Sequence, residues 1–392
     1  MHASTTSPVR DFRDATVVRV LRLDPLMLLA TLGLIAASVY TLSTATQDDI
    51  AGSPNYYVYR QLAYSGVGLL LMFLIARFDY SRLREWKIGI YVFLIASILL
   101  VYALGFSARG SQRAVQLPFF NFQASELGKL LLAVGLSAFV VDRIRRLTDR
   151  ETTSRVVLLA LIPAILVVAQ PDLGSGLVYL AILLTVLFVA GTPWTHFAAL
   201  GGLAALAIAV TLVAAPAVGV DVLKPYQKDR LTAFLSPSDD ASAKEGYQIN
   251  QSLTAIGSGG KTGRGDDATQ TELDFLPEHH TDFIFSVVGE EFGFVGAALV
   301  LSLFALLIWR ALKVLTISKN FYGALVAGGI TAMLMFQVFV NVGMTIGIMP
   351  ITGIPLPLMS YGGSSVLTTL MALGILQSIH AQAREVAAAK GL

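Results

Sequence analysis

The sequence predicts an all-α integral membrane protein with ten transmembrane helices. Of its 392 residues, 55% are hydrophobic and 14% are charged, and the mean hydropathy is +0.68. Because a soluble domain carries about 25% charged residues, this composition is typical of a chain embedded in lipid. Ten apolar stretches have about the 20 residues that a bilayer-spanning helix needs. They lie near residues 25–45, 61–77, 88–105, 124–141, 155–170, 173–190, 195–216, 283–308, 322–346 and 363–380.

The distribution of Lys and Arg predicts that both termini lie in the cytoplasm. With the N-terminus inside, eighteen of the 28 basic residues fall in the inner segments. Apart from one long loop, the outer segments hold only four basic residues. These four are Arg60, Arg109, Arg113 and Lys129. This asymmetry is the positive-inside bias of proteins in the cytoplasmic membrane.

The chain divides into one large membrane domain and two tails. We expect a cytoplasmic tail at 1–24, a polytopic membrane domain at 25–383 and a second cytoplasmic tail at 384–392. The membrane domain includes an extracytoplasmic loop at 218–282, between the seventh and eighth spans. In this loop Ile249, Leu253 and Ile256 recur at helical spacing. The spacing predicts a short helix that lies on the membrane surface.

The connection before the tenth span predicts a re-entrant loop. Residues 347–365 are apolar, but they contain three Pro and four Gly, which exclude a regular helix. Irregular backbone at membrane depth is tolerated where protein or a wet cavity covers it. A plain hydrophobic linker between two spans is the alternative interpretation.

Composition and local patterns also exclude several kinds of site. The chain has no Cys, which excludes disulfides and thiolate metal or redox centres. Its net charge of +2 is too small to indicate a nucleic-acid partner. Residues 255–262 end like a phosphate-binding P-loop, but they lack its first Gly and the preceding strand. His279 and His280 are adjacent on a predicted turn, where two side chains seldom converge, so we expect no metal site there.

Ionisable residues at the outer ends of the spans are the candidates for a functional site, because charges inside a bilayer are costly. Glu126 and Lys129 are three residues apart on one helix face, and they either bind a ligand or neutralise each other. Asp172 follows a Pro in a tight turn, and it either binds a ligand or caps the next helix. Asp282 precedes the eighth span, where the alternative to a chemical role is again a helix N-cap.

Together these groups form one constellation that faces outwards. Its carboxylates surround Asp282, and its cations come from the outer connections and the long loop. The further carboxylates are Glu126, Asp172, Asp274 and Glu278, and the cations are Lys129, Arg109, Arg113, Lys224, Arg230, Lys261 and Arg264. Arg and Lys hold phosphate groups, which leaves a carboxylate to move a proton. This combination indicates a phosphorylated lipid as substrate.

Four separated motifs resemble those of the SEDS family (shape, elongation, division and sporulation), the FtsW/RodA/SpoVE group. The motifs are residues 170–174, 246–260, 276–285 and 357–365. The likeness runs in order from about Asp24 to His380, and it is somewhat closer to the RodA-like members than to the FtsW-like members. It implies a peptidoglycan glycosyltransferase that polymerises lipid II at the outer face of the cytoplasmic membrane, for cell elongation and shape.

The resemblance also implies roles for particular residues and a partner. The family's essential Asp maps onto Asp282, and an acidic position eight residues earlier maps onto Asp274. The Ser-Glu-x-x-Lys pattern of the family maps onto Ser125, Glu126 and Lys129. Ala124 stands where the family usually has Pro, a departure that concerns the local shape of the adjacent outer loop and not the chemistry. The implied partner is a class B penicillin-binding protein, whose transpeptidase cross-links the new strands.

The chemistry implied by the resemblance needs one base and several cations. Asp282 would take the proton from an acceptor sugar hydroxyl. Pyrophosphate leaves readily, so the second carboxyl group that glycoside hydrolysis needs is not required. We expect Arg109, Arg113, Lys129 and Arg230 to hold the pyrophosphate, and Tyr361 and Ser364 to shape a groove for the lipid. The sequence is compatible with a divalent cation, Mg²⁺ or Mn²⁺, but it does not require one.

Two other functions fit part of the pattern. A flippase or transporter of lipid II would bind the same substrate. Transporters tend to have internal repeats and a binding site near the middle of the bilayer. This chain shows no internal repeat, and its ionisable groups gather at the outer ends of the spans. A scaffold that only binds partner membrane proteins is the third hypothesis.

Overall fold

The computed structural model describes residues 22–47, 49–50, 52–104, 106–108, 111–116, 120–211, 243–268, 270 and 275–390. These residues are mostly helical. The α-helices are α1 (Pro25–Ala45), α2 (Tyr56–Arg77), α3 (Lys87–Leu104), α4 (Ala124–Val141), α5 (Arg150–Ala169), α6 (Leu173–Val189), α7 (Trp194–Ala209), α8 (Ala243–Ser258), α9 (Ile284–Ile317), α10 (Phe321–Thr345) and α11 (Gly363–Ala389). Short 3₁₀ helices lie at Tyr80–Arg84, Ile144–Arg146 and Gly265–Asp267. Three antiparallel strands, β1 (Phe106–Ala108), β2 (Ser111–Gln116) and β3 (Asn121–Phe122), connect α3 to α4.

Each predicted span coincides with a helix. Eight of the described helices are long and apolar enough to cross a bilayer, whereas α6 and α7 are apolar but have only 17 and 16 residues. The prediction of a helical, multi-pass membrane protein is therefore confirmed. Ten crossings and two cytoplasmic termini stay predictions. Helix α11 runs to Ala389, so the predicted domain boundary at residue 383 falls inside a helix.

The start of α1 is fixed by its first residues. Pro25 occupies the first helical position, where its missing N–H leaves no intrahelical hydrogen bond unmade. The Asp24 carboxylate accepts hydrogen bonds from the backbone N–H groups of Leu26 and Met27, at 3.1 and 3.2 Å. This N-cap satisfies two of the four donors that a helix leaves unpaired at its start.

Helices α4, α6, α10 and α11 form the buried centre of the bundle. Helix α4 packs against α3, α6 and α10, and α11 packs against α2. The peripheral helices instead expose large apolar side chains, such as Leu70 on α2, Val92 on α3 and Phe294 on α9. Exposed apolar surface of this extent indicates contact with lipid.

The Gly-rich segment that resembles a P-loop packs into a break in α9. Gly293 lies inside α9 with φ 62° and ψ −158°, a conformation that favours glycine. Beyond the break, the N–H of Phe294 donates to the carbonyl of Gly260 at 2.9 Å. A Cβ atom on Gly263 would lie 2.0 Å from the carbonyl oxygen of Glu291. These glycines therefore allow two backbones to touch, which accounts for the motif without a nucleotide.

Helix α8 forms in the long loop as predicted, and it packs against α9 and α10. Ile249 is buried next to Phe283 and Met344, so this side chain contacts protein. Ser252 Oγ donates to the carbonyl of Thr345 at 2.7 Å. Leu253 is 43% exposed. Only part of the predicted apolar face is thus available to a membrane surface.

The segment between α10 and α11 has no regular helix over residues 346–362, as its Pro and Gly residues predict. It is nevertheless buried, since Ile354, Leu356 and Met359 are all at most 1% exposed. Ser38 on α1 donates from Oγ to the carbonyl of Met359 at 2.7 Å. Protein therefore covers this irregular backbone, whereas its depth in the membrane stays a prediction.

Candidate active site

A cavity of about 620 Å³ lies at the end of the bundle where α4, α9 and α11 begin. Its volume is within the range of sites that bind small molecules. Four of the predicted site residues line it, namely Asp282, Glu126, Tyr361 and Ser364. Arg60, which the sequence analysis did not select, lies on the same wall.

Of the other six predicted site residues, two lie behind the cavity wall and four are wholly or partly outside the described residues. Lys129 and Asp172 are buried behind the cavity wall, with 1% and 5% of their surface exposed. Arg109, Arg230 and Asp274 are outside the described residues, and only the backbone of Arg113 is described. This backbone belongs to β2, whose next residue Ala114 lines the cavity.

Asp282 lies in a turn that is held by hydrogen bonds to its backbone. Asn341 on α10 donates from Nδ2 to the carbonyls of Asp282 and Ile354, both at 2.9 Å. Ser360 Oγ donates to the carbonyl of Thr281 at 2.6 Å. Helix α9 begins after the turn with Phe283 at the N-cap position, so Asp282 is not its N-cap residue.

Two strained residues flank the contact between this turn and the segment 346–362. Glu278 has φ 59° and Leu358 has φ 65°, in the left-handed region that side chains disfavour. Each such residue costs about 1–3 kcal/mol and persists only where its surroundings impose it. Here the carbonyl of Glu278 accepts hydrogen bonds from the N–H groups of Thr281 and Phe283. Strain of this kind clusters at functional sites.

Glu126 and Lys129 form a buried ion pair. Lys129 Nζ donates to Glu126 Oε1 at 2.6 Å, and the two residues are 1% and 3% exposed. Mutual neutralisation, which the sequence left open, is therefore present. Glu126 lines the cavity, and the buried ammonium group of Lys129 neutralises its charge.

Asp172 caps α6, which is one of the two roles that the sequence left open for this residue. Its Oδ1 accepts from the backbone N–H of Ser175 at 3.0 Å. Its Oδ2 accepts from Ser125 Oγ at 2.7 Å and from Gln123 Nε2 at 3.1 Å. The carboxylate thereby fixes the start of α6 against the start of α4, which carries Glu126.

Ser364 connects α11 to the strand that precedes α4. Its hydroxyl donates to the carbonyl of Asn121 at 2.7 Å and accepts from the N–H of Gln123 at 2.9 Å. These two bonds hold neighbouring parts of the cavity wall together. Ser364 thus has a structural function at the site, in addition to its place on the wall.

Arg60 is the functional candidate that the sequence analysis missed. Its guanidinium carbon lies 4.6 Å from the centre of the Tyr56 ring, within range of a cation–π contact. Its positive charge also acts on the nearby hydroxyl of Tyr361. Burial raises the pKa of Tyr361 well above its usual value, although Arg60 opposes this, so the phenol stays protonated at neutral pH. The helical spacing of Tyr57, Arg60 and Tyr64 on α2 is a sequence signal that points to this face.

Aromatic rings form another part of the cavity wall. The Tyr57 ring lies 4.6 Å from the ring of His280 and 4.8 Å from that of Tyr361, measured between centroids. The Tyr64 ring lies 6.2 Å from Tyr361. Such side chains combine an apolar face with a polar tip, which suits a sugar ring that presents both kinds of surface.

The two adjacent histidines converge, and the expectation that they diverge is wrong. His279 Nε2 lies 3.2 Å and His280 Nδ1 lies 3.7 Å from the same carboxylate oxygen of Asp49. The two rings are nearly perpendicular, with an interplanar angle of 79°. Both rings reach Asp49 because His279 contributes Nε2, the nitrogen farther from its backbone, and His280 contributes Nδ1, the nitrogen nearer to its backbone.

A second cavity of about 620 Å³ lies at the opposite end of the bundle. Arg84 and Lys87 line it, and both form ion pairs with Asp142. We place the candidate active site in the first cavity, because it combines Asp282 with a cation and aromatic rings.

Comparison with protein families and curated proteins gives matches over nearly the whole chain. Residues 20–385 match the FtsW/RodA/SpoVE family, described as cell cycle protein. The chain is 37% identical over 361 residues to the peptidoglycan glycosyltransferase MrdB of Escherichia coli (strain K12), which covers 91% of this chain and 93% of that protein. It is 35% identical over 363 residues to the stage V sporulation protein E of Bacillus subtilis (strain 168), which covers 91% and 95%.

Comparison with solved structures also gives matches over nearly the whole chain. One similar chain belongs to a peptidoglycan synthase complex, in a structure concerned with the coordination of polymerization and crosslinking. It has a TM-score of 0.78 and 33% identity, and the match covers 92% of this chain and 98% of that one. The rod shape determining protein RodA of Thermus thermophilus has a TM-score of 0.64 and 31% identity, with 91% and 96% covered.

Proposed function

The chain belongs to the FtsW/RodA/SpoVE family of cell cycle proteins. From this premise we propose how the residues around its cavity polymerise lipid II into glycan strands. The protein is a peptidoglycan glycosyltransferase, as its curated relatives are. In our proposal it serves cell elongation and shape. The observation that carries the mechanism is that Asp282 and Arg60 line one cavity.

Asp282 is the general base in this mechanism. It takes the proton from the acceptor sugar hydroxyl while that oxygen attacks the anomeric carbon of the donor. A well-placed base is worth about 10²–10⁴-fold in rate. The hydrogen bonds from Asn341 and Ser360 to the turn fix the backbone that carries this carboxylate, and a fixed base is needed for a productive geometry.

Arg60 stabilises the departing pyrophosphate. Its planar guanidinium can donate two parallel hydrogen bonds to phosphate oxygens, and it packs over the Tyr56 ring at the cavity wall. In our proposal Arg109, Arg113 and Arg230, which the sequence places in outer connections, also bind the pyrophosphate. Lys129 acts differently, because it neutralises Glu126 and so keeps that carboxylate from repelling the substrate.

The reaction needs one displacement and no carboxylic acid. The bond between the anomeric carbon and the pyrophosphate oxygen breaks as the bond to the acceptor oxygen forms. The pyrophosphate leaves as an anion, so it requires cations rather than a proton donor. A single displacement inverts the anomeric configuration, unlike the double displacement of retaining glycosidases, whose two carboxyl groups lie about 5–5.5 Å apart.

The orientation of the protein follows from its basic residues. We propose that ten helices cross the cytoplasmic membrane, with both termini inside and residues 346–362 forming a re-entrant loop. The cavity then opens at the extracytoplasmic face. Support comes from the positive-inside bias and from the burial of the irregular segment under protein. Membrane lipid would surround the apolar peripheral helices.

A transpeptidase is the partner that this chemistry calls for, because glycan strands must be cross-linked after they are made. We propose a class B penicillin-binding protein in this role. The similar chain in a peptidoglycan synthase complex supports the proposal, since that complex coordinates polymerization and crosslinking.

A polymerase assay with labelled lipid II tests the role of Asp282. Purified Asp282→Asn should lose at least about 100-fold of the polymerisation rate, because the amide cannot accept the proton. Asp267→Asn is the matched control, since this exposed carboxylate lies in a 3₁₀ helix away from the cavity. It should retain the wild-type rate.

Two results would contradict the proposal. One is an unchanged rate of polymerisation by Asp282→Asn under conditions where the wild type is active. The other is transport of lipid II across proteoliposome membranes by wild-type protein that makes no polymer, which would identify a flippase.

A further inference from the structure

We propose that Asp49, His279 and His280 form a site for a divalent transition-metal ion, with Zn²⁺ as the best chemical match. Asp49 lies in the connection between α1 and α2, and the histidines lie in the turn before α9. One carboxylate oxygen and two ring nitrogens from these residues all lie within 4.8 Å of one another.

The two distances from Asp49 to the histidines are close to those of tetrahedral coordination. Zinc binds His nitrogen and carboxylate oxygen at about 2.0–2.2 Å. Tetrahedral geometry then separates neighbouring donor atoms by about 3.4 Å. Asp49 Oδ2 is 3.2 Å from His279 Nε2 and 3.7 Å from His280 Nδ1. A small adjustment of the Asp49 side chain, which is 19% exposed, brings both distances to this value.

The surroundings of the histidines orient their rings for a metal. His279 Nδ1 lies 3.2 Å from the carbonyl of Leu276, and a ring that donates to this carbonyl directs the lone pair of Nε2 towards Asp49. A backbone carbonyl behind a metal-binding His is a usual outer-shell arrangement. The ring of Tyr57, 4.6 Å from that of His280, limits the rotation of the second imidazole.

The donor set selects among metals. Two imidazoles and one carboxylate suit Zn²⁺ and related transition metals, whereas Mg²⁺ prefers oxygen ligands and retains water. Three protein ligands leave a fourth position open, as in catalytic zinc sites. His280 lines the same cavity as Asp282. The metal would therefore connect the α1–α2 connection to the turn that carries Asp282. Any effect of this connection on catalysis rests on the proposed function. The metal site itself does not rest on it.

Metal binding by the purified full chain in detergent tests the site. After removal of metals with a chelator, equilibrium dialysis against Zn²⁺ or Mg²⁺ and elemental analysis should find one Zn²⁺ per chain. Asp49→Asn and His279→Gln should each weaken Zn²⁺ binding by more than about 100-fold, the upper end for loss of an outer-shell partner. Zn²⁺ should also raise the unfolding temperature of the wild type but not that of the two variants.

His196→Gln is the matched control. This imidazole lies at the start of α7, at the other end of the bundle, where its Nδ1 is 2.9 Å from Thr153 Oγ1. The variant should bind Zn²⁺ like the wild type. Asp49 is the more informative of the two site variants, because its side chain is 19% exposed and that of His279 only 4%, so its loss should disturb the metal-free fold less.

Several outcomes would overturn the metal site. They are absence of Zn²⁺ binding by the wild type, equal Zn²⁺ binding by Asp49→Asn, and Mg²⁺ binding as tight as that of Zn²⁺. The first two would leave a histidine–carboxylate contact as the function of these residues. Binding is measured without lipid II, and Asp282→Asn should keep its Zn²⁺, so a failure of the glycosyltransferase mechanism leaves this test unaffected.

Discussion

Asp24 and Asp282 lie at opposite ends of the helix bundle and have different surroundings. At the end opposite the cavity, Asp24 has no exposed surface and accepts hydrogen bonds from Arg310 Nε at 2.7 Å and Nη2 at 2.6 Å. Its backbone N–H donates to Gln377 Oε1 at 2.8 Å, and its carboxylate also caps α1. At the other end, Asp282 and Arg60 both line an open cavity.

This difference separates charges that hold the fold from charges that serve a ligand. The Asp24 cluster joins α1, α9 and α11, and its carboxylate oxygens are occupied by donors from the protein. At the other end, Asp282 and Arg60 both line a cavity of about 620 Å³, which has room for part of a substrate. If the distinction is correct, substitutions at the two ends should affect different measurements.

The largest effect on stability is expected from Asp24→Asn. Asn retains the N-cap, but it leaves the charge of Arg310 buried without its counter-ion. Removal of one partner from a buried ion pair costs about 3–5 kcal/mol. The unfolding free energy in detergent should fall by about this amount. The double variant Asp24→Asn/Arg310→Met should recover most of the loss, because it removes both charges. Equal stabilities of the single variant and the wild type would show that the pair does not support the fold.

Arg60→Gln is the corresponding change at the cavity end, and it should act on catalysis instead. We expect kcat/KM for lipid II to fall about 10–100-fold, because a charge-assisted contact to the leaving group is worth about 1.5–3 kcal/mol. The unfolding free energy should change by about 1 kcal/mol or less, the value of an exposed cation–π contact.

The control for this prediction is Arg60→Lys. It keeps the positive charge but loses the planar fork that binds two phosphate oxygens, so its kcat/KM should lie between those of the wild type and Arg60→Gln. A large loss of stability in Arg60→Gln, with kcat/KM unchanged, would remove the distinction between the two ends.

The sequence predicted the spans because their signal is local. Each span is a continuous apolar stretch, and every one coincides with a helix, although α6 and α7 are shorter than a full crossing. The irregular segment 346–362 was predictable for the same reason, since Pro and Gly act on the backbone where they stand. The Glu126–Lys129 pair also follows from local spacing.

Other parts of the site depend on contacts between distant segments, which one sequence does not contain. Arg60 acquires its significance from Tyr361, which lies on a segment far along the chain. Asp49 meets the two histidines only because the α1–α2 connection folds over the turn before α9. Asp172 and Ser364 were selected for their positions in motifs, and their hydrogen bonds hold α4, α6 and α11 together.

The smallest effect is expected at an ion pair of the same chemistry on the surface. Arg155 and Glu151 pair one turn apart on α5, and their side chains are 63% and 76% exposed. Arg155→Ala should change the unfolding free energy by about 0.5 kcal/mol or less, and added salt should remove the difference, because solvent screens exposed charges. The same unfolding measurement as for Asp24→Asn then compares two Arg–carboxylate pairs that differ mainly in burial. The exposed pair stays in contact with solvent, whereas the Asp24–Arg310 pair is buried. If the two variants lost similar amounts of unfolding free energy, burial would not explain why the Asp24–Arg310 pair stabilises the fold.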